Sequence, residues 1–286
     1  MTTLQSNLDQ ANADLRQARH KAGPFVEGFV RFGYAAKGVV YCVVGSLAAI
    51  AAFGSGGDAT GSRGALDKIS HQPFGWVMLA IVAVGLSGYA MWQFIRSIED
   101  PEDEGSNAKA IFRRIGIFGS GLIHLGLVIY AVNIIIGWRR RGGGDDESAR
   151  SWSATAMSYP MGRWLLAAAG IGLLCYGVWQ LIRSFQSNLD KRLHLGEIKP
   201  ETRRFVVQVS RFGLAARGIV FGIMGIFLAL AAWHHNSSQA KGVGGALDAL
   251  QRQPYGPWLL GIVALGLIAY GIYQFVEARY RQITST

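Results

Sequence analysis

Six mostly apolar runs of about 20 residues each interrupt an otherwise polar chain: Gly33–Phe53, Phe74–Ile95, Ile115–Trp138, Met161–Ile182, Phe212–Trp233 and Tyr255–Val276. Roughly 20 residues of α-helix cross a bilayer core, so each run predicts one spanning helix. The predicted fold is all-α, a polytopic membrane protein with six transmembrane helices. The segment ahead of the first run, residues 1–29, has no apolar core and mixes acids with bases, so it is not expected to be a signal peptide. It predicts a polar cytoplasmic arm, with a short helix ending near Gly23-Pro24.

The even-numbered runs end alike: "GLSGYAMWQFIRS" (Gly85–Ser97), "GLLCYGVWQLIRS" (Gly172–Ser184) and "GLIAYGIYQFVEA" (Gly266–Ala278). Each places Tyr four residues after the first Gly and Gln four after the Tyr. A proline turn precedes each run, and Pro73, Pro160 and Pro254 fit the start of a helix, where a missing N–H costs nothing. The odd runs repeat too. Arg31, Gly33, Gly38 and Gly45 of "RFGYAAKGVVY" and its continuation recur as Arg211, Gly213, Gly218 and Gly225 around "RFGLAARGIVF". The third run keeps Arg114, Gly116 and Gly121, but carries Ser120 in place of Lys37 and Val128 in place of Gly45. Hairpin repeats are therefore expected at 30–98, 112–185 and 210–279, the middle one divergent. A basic linker at 186–209 and a tail at 280–286 complete the chain, and three copies suggest a pseudo-threefold arrangement.

The triple hairpin, with its "RFGxAAKG" helix start and "GLxxYGxWQ" helix end, resembles the bacterial membrane family called domain of unknown function 1206, from about Val30 to Arg279. The resemblance implies a bacterial inner-membrane protein of three repeated helix pairs and imports no chemistry. The departures at Ser120, Val128 and Ala154 (where the outer repeats have Asp67 and Asp248) lie in the middle copy.

Composition adds direction. The net charge is +10. Alternating spans put 17 of the 28 Lys and Arg residues on the side of the termini and 9 on the other. An excess of Lys and Arg marks the cytoplasmic face, so both termini are expected there. The basic excess then reads as topology and contact with anionic lipid of the cytoplasmic leaflet, and nucleic-acid binding is not needed to explain it. "RRRGGGDDE" (Arg139–Glu147) is the awkward item, with three arginines on the expected outer side. Cys42 and Cys175 lie within spans and imply no disulfide framework.

The repeated residues are the candidate functional set. Small residues on one face let membrane helices approach, so Gly38, Gly45, Gly85, Gly172, Gly218, Gly225 and Gly266 are expected to pack helices. Tyr89, Tyr176 and Tyr270, with Gln93, Gln180 and Gln274, fall on shared helix faces, and an amide in hydrocarbon needs partners. The simplest expectation is that each Gln bonds a neighbouring helix; the sharper one is a layer around the axis. Lys37 and Arg217 sit at the depth of that layer. Snorkelling to the interface is the plain expectation for both. The alternative is an inward anion or lipid site, with Glu277 paired to Arg217. Arg31 is expected at the lipid surface. Asp67 and Asp248 are expected on short surface helices, and His124 in the packing slot of Tyr41 and Phe221. His71, His234 and His235 make a weak metal pattern, and neither metal nor cofactor is expected.

No nucleotide-binding glycine loop, paired-histidine zinc motif or serine elbow occurs, so no enzyme is expected. The expected function is a membrane scaffold, or a protein that binds anionic lipid or a protein partner at its cytoplasmic face, chiefly through "KRLHLGEIKPETRR" (Lys191–Arg204). The alternative is a transporter or channel for a small, anionic solute bound at the repeat interface.

Overall fold

The computed structural model describes residues 2–54, 59–99, 107–137, 144–186 and 200–281, with side chains from residue 25 onward apart from residues 108 and 109. These residues form nine α-helices and no strand. Repeat 1 comprises α1 (Thr2–Phe53), α2 (Ser62–Ser70) and α3 (Gly75–Ile98). Repeat 2 comprises α4 (Ala108–Ile135), α5 (Asp145–Met157) and α6 (Gly162–Phe185). Repeat 3 comprises α7 (Pro200–Trp233), α8 (Val243–Gln251) and α9 (Gly256–Tyr280). Each repeat is thus a long helix, a short helix and a long helix. The six long helices match the six expected spans and are long and apolar enough to cross a membrane.

Three boundaries differ from expectation. The amino-terminal arm has no break at Pro24; α1 runs through it, although an interior proline removes one backbone hydrogen bond and crowds the carbonyl four residues before it. The second part of the expected linker belongs to α7, which starts at Pro200, a residue suited to a first helical position. Arg139–Arg141 and Lys191–Lys199 lie outside the described residues. The prolines of the repeated turns also sit just before the helices and not within them. Phe74 (φ 58°) and Tyr255 (φ 61°) intervene in left-handed conformations. Gly75 and Gly256 then start α3 and α9, where a Cβ would strike the carbonyls of Ser70 and Gln251. The turn therefore needs glycine for close approach.

Between repeats the packing is cyclic. The odd long helix of each repeat lies on the even long helix of the repeat before it: α4 on α3, α7 on α6, and α1 on α9. Within repeats, α1 packs on α3 and α7 on α9, but α4 and α6 form no such pair. The six long helices consequently make a pseudo-threefold ring that is open at one place, between the two long helices of the middle repeat.

Glycines decide where the ring is tight. A Cβ on Gly38 or Gly45 would lie 2.9 Å from the carbonyl oxygen of Gly271 or 2.7 Å from that of Ala264, both on α9. On α7, Gly218 and Gly225 would each come within 2.8 Å of a carbonyl of α6, those of Gly177 and Gly170. Such approach lets backbones pack where no hydrophobic drive exists between helices. Gly85 and Gly266 receive the methyl groups of Ala36 and Ala216 and so close hairpins 1 and 3. Gly172 departs from this pattern, because nothing lies within 4 Å of a Cβ built on it, nor of one built on Gly116. These are the positions that face each other in the closed hairpins, where Gly33 abuts the backbone of Tyr89 and Gly85. The packing glycines of α6 are instead Gly170 and Gly177, which serve α7.

Candidate functional site

At one depth in the ring the same ring-to-ring contact occurs three times. Tyr41 of α1 meets Tyr270 of α9 at 4.6 Å between centroids, His124 of α4 meets Tyr89 of α3 at 4.5 Å, and Phe221 of α7 meets Tyr176 of α6 at 5.8 Å. His124 therefore does occupy the slot of Tyr41 and Phe221. Each contact joins an odd helix to the even helix of the preceding repeat, so the aromatic layer follows the cyclic packing.

Both cations point into this layer. Lys37 is 3% exposed and Arg217 6%, so neither snorkels to the surface. Their side chains enter the bundle because Tyr hydroxyls and ring faces there replace part of the lost water. Lys37 Nζ donates to the Tyr89 hydroxyl at 2.7 Å and lies 4.2 Å from that ring's centroid. Arg217 Nε donates to the Tyr41 hydroxyl at 3.1 Å; Nη1 donates to Gln180 Oε1 at 3.0 Å and to the Tyr176 hydroxyl at 3.5 Å. Tyr270 lies between the two cations, 5.5 Å from Lys37 Nζ and 4.9 Å from Arg217 Cζ. Among the described residues no carboxylate forms an ion pair with either.

The glutamines divide. All three are buried, yet only Gln180 crosses to another helix, through Arg217. Gln93 accepts from Arg96 and Gln274 donates to Glu277, both within their own helices. The expected amide layer is thus two local contacts and one that joins the cation site. Gln180 Nε2 has no hydrogen-bond partner among the described residues. The expected Glu277–Arg217 pair is also absent: Glu277 binds Arg281 at 2.7 Å, one turn away on the same side of the chain terminus.

Known proteins place this architecture. The model of the Domain of Unknown Function (DUF1206) family matches residues 32–100, 115–186 and 212–281, one match per hairpin. The chain belongs to this family. It is 31% identical over 270 residues to "Uncharacterized protein YxxB" of Bacillus subtilis (strain 168), covering 94% of this chain and 96% of that one. No solved structure matches it.

Two further features of this DUF1206 chain escaped sequence reasoning. Two of the three repeated arginines, Arg31 and Arg114, are not lipid anchors. Arg31 donates to the carbonyls of Ala278, Arg279 and Arg281, and Arg114 to those of Ser97 and Ile98. Each caps the carboxyl end of the even helix in the preceding repeat, where unpaired carbonyls attract a cation. The recurrence of Arg beside the first Gly was the available signal.

The other feature lies at the opposite end of the bundle. There α2, α5 and α8 gather, as expected for surface helices carrying Asp67 and Asp248. α5 has 13 residues against 9 in α2 and in α8. Its added first turn reaches across both neighbours: Asp145 Oδ2 accepts from the Arg63 N–H at 3.2 Å, and Asp146 Oδ1 from the N–H groups of Gly242 and Gly245 at 2.8 and 2.9 Å. These acids cap the amino ends of two other repeats' helices. Burial pushes the Asp145 carboxyl up to about 6, against the Arg63 N–H and guanidinium that pull it down. The histidines of this end do not converge: His71 bonds the Asp67 carbonyl and His234 the Gln239 side chain. Among the described residues no group of metal-ligating side chains occurs.

Proposed function

We propose that this DUF1206 chain is a non-enzymatic protein of the bacterial inner membrane, both termini cytoplasmic, that binds the headgroup of an anionic lipid. The observation that carries the reading is the pair Lys37 and Arg217, buried around one tyrosine ring, with no carboxylate among the described residues in ion-pair contact with either; Glu277, the carboxylate whose charge reaches Lys37, is held by Arg281. Two charges of one sign in a low-dielectric site repel and are costly, and an anion between them offsets both. Donors remain for such an anion. Lys37 spends one of three on Tyr89, Arg217 makes no bond through Nη2, and Gln180 Nε2 is unpartnered.

Depth fits a headgroup better than a mid-membrane solute. Lys37 is six residues from Arg31, which caps the end of α9, so it lies about 9 Å inside the helix ends at 1.5 Å per residue. The transport alternative requires passage at the other end as well, where Asp145 and Asp146 hold α2 and α8 together. Lipid binding requires no movement there.

The reading is tested by native mass spectrometry of the detergent-purified chain offered phosphatidylglycerol or phosphatidylcholine. Retention of phosphatidylglycerol alone, lost in Arg217→Gln and restored in Arg217→Lys, is the expected result. Equal retention of both lipids by wild type and Arg217→Gln would overturn it.

A further inference from the structure

The ring of described helices has one opening, and both helices beside it contact the cation site. In repeats 1 and 3 the hairpin is closed by the same device: a cation of the odd helix sits over the tyrosine of its own repeat's even helix, Lys37 on Tyr89 and Arg217 on Tyr270. In repeat 2 that position is Ser120, too short to reach Tyr176, and the hairpin stands open. Yet both sides of the opening belong to the cation site. On α6, Tyr176 and Gln180 bind Arg217; on α4, His124 packs on Tyr89, which binds Lys37. Tyr176 is half-buried, while Tyr89 and Tyr270, its sisters in the closed hairpins, are 5% and 3% exposed.

The helices beside the opening carry exposed apolar residues and do not pair with each other. Ile115 and Ile123 on α4, and Ile171 and Trp179 on α6, are exposed, whereas Gly116 and Gly172 leave free space where hairpins 1 and 3 have backbone contact. A cleft with apolar walls and cations at its back is complementary to one class of molecule: an anion carried on hydrocarbon chains. A free phosphate would fill the back and leave the walls bare.

We propose that the opening between α4 and α6 is the lateral entry for one anionic diacyl phospholipid, with its phosphate between Lys37, Arg217 and Gln180 Nε2 and its chains against α4 and α6. This rests on the lipid-binding reading above and adds the route and the occupant. The lipid takes the place that a third cation and its hairpin contact hold in the other repeats. Gly119 and Ser120 stand where the other repeats carry the methyl group and the cation that close the hairpin.

The test uses the full chain in phosphatidylcholine nanodiscs containing a small fraction of phosphatidylglycerol with a photoreactive acyl chain. After illumination, labelled peptides from Gly116–Ile123 and Gly172–Trp179 should exceed those from the outward faces of α3 and α9 several-fold. A photoreactive phosphatidylcholine should label all four helices evenly. Gly116→Trp and Gly172→Trp, at positions where a Cβ has nothing within 4 Å, should lower phosphatidylglycerol retention roughly tenfold while leaving the melting temperature unchanged. Even labelling by phosphatidylglycerol, or unchanged retention in both tryptophan variants, overturns the entry. If retention still depends on Arg217 in that case, the headgroup site stands and only the route is lost; if it does not, both fall.

Discussion

Hairpins 2 and 3 are built from the same repeat and end up in opposite states. Hairpin 3 is shut by Gly213 against the backbone of Tyr270, by Ala216 in the notch of Gly266, and by Arg217 over the Tyr270 ring. Hairpin 2 keeps the first glycine, as Gly116, and the notch, as Gly172, yet neither is filled. It differs at this level in two residues: Gly119 for Ala216, so no methyl group enters the notch, and Ser120 for Arg217. Glycine alone therefore does not close a membrane hairpin. It permits approach, and a methyl group seated in the notch together with a cationic contact across the gap supplies the attraction. The contacts between repeats, by contrast, survive in all three copies, because they use separate residues on the other helix faces.

The largest test of this division is Gly45→Val against Gly172→Val. The first drives methyl groups onto the Ala264 carbonyl and should cost about 3 kcal/mol or more, lowering the melting temperature in detergent sharply; the second should leave it unchanged. A comparable loss in both would mean that α4 and α6 close on each other. Next come Arg31→Gln and Arg114→Gln, which remove caps on α9 and α3. Each should cost about 1.5–3 kcal/mol, measured by equilibrium unfolding, although only Arg114 belongs to the divergent repeat.

A smaller effect is expected from Ser120→Arg. It restores the missing cation, and a cation over the Tyr176 ring is worth roughly 0.5–2 kcal/mol. Spin labels on α4 and α6 should move closer together, and phosphatidylglycerol retention should fall. Unchanged label distances would show that the opening has another cause. Smallest is Asp145→Asn. The folded chain keeps a proton on Asp145 up to about 6, while the ordinary carboxyl releases it near 3.8. Wild-type stability should therefore fall as pH rises across that interval and stay lowered above it. The amide variant should lose this dependence and gain on wild type above pH 6, as read from melting temperatures along a pH series.

Much of this was legible in the sequence. Run length gave the six spans, and recurring Gly, Tyr and Gln gave the repeats, because helix packing and bilayer thickness constrain single residues locally. The state of hairpin 2 was not legible, although Ser120 and Val128 marked that copy as divergent, since opening depends on which of two faces each helix presents. The roles of Arg31, Asp145 and Asp146 were hidden for another reason. Their partners lie in other repeats, up to 250 residues away for Arg31, and a carbonyl or N–H group leaves no mark in the sequence. The glutamines misled because a buried amide can satisfy itself one turn along its own helix as readily as across to another.

The contact of α1 with α9 also bears on how the protein is made. The first long helix to leave the ribosome carries the glycine face that needs the last one, with Gly38 waiting for Gly271 and Arg31 for the end of α9. Until synthesis is nearly over, α1 has only α3 beside it in the ring. The nascent chain must hold an unfinished seam in the bilayer throughout translation, and a ribosome stalled before α9 leaves a product with one of its two most extensive joints unmade.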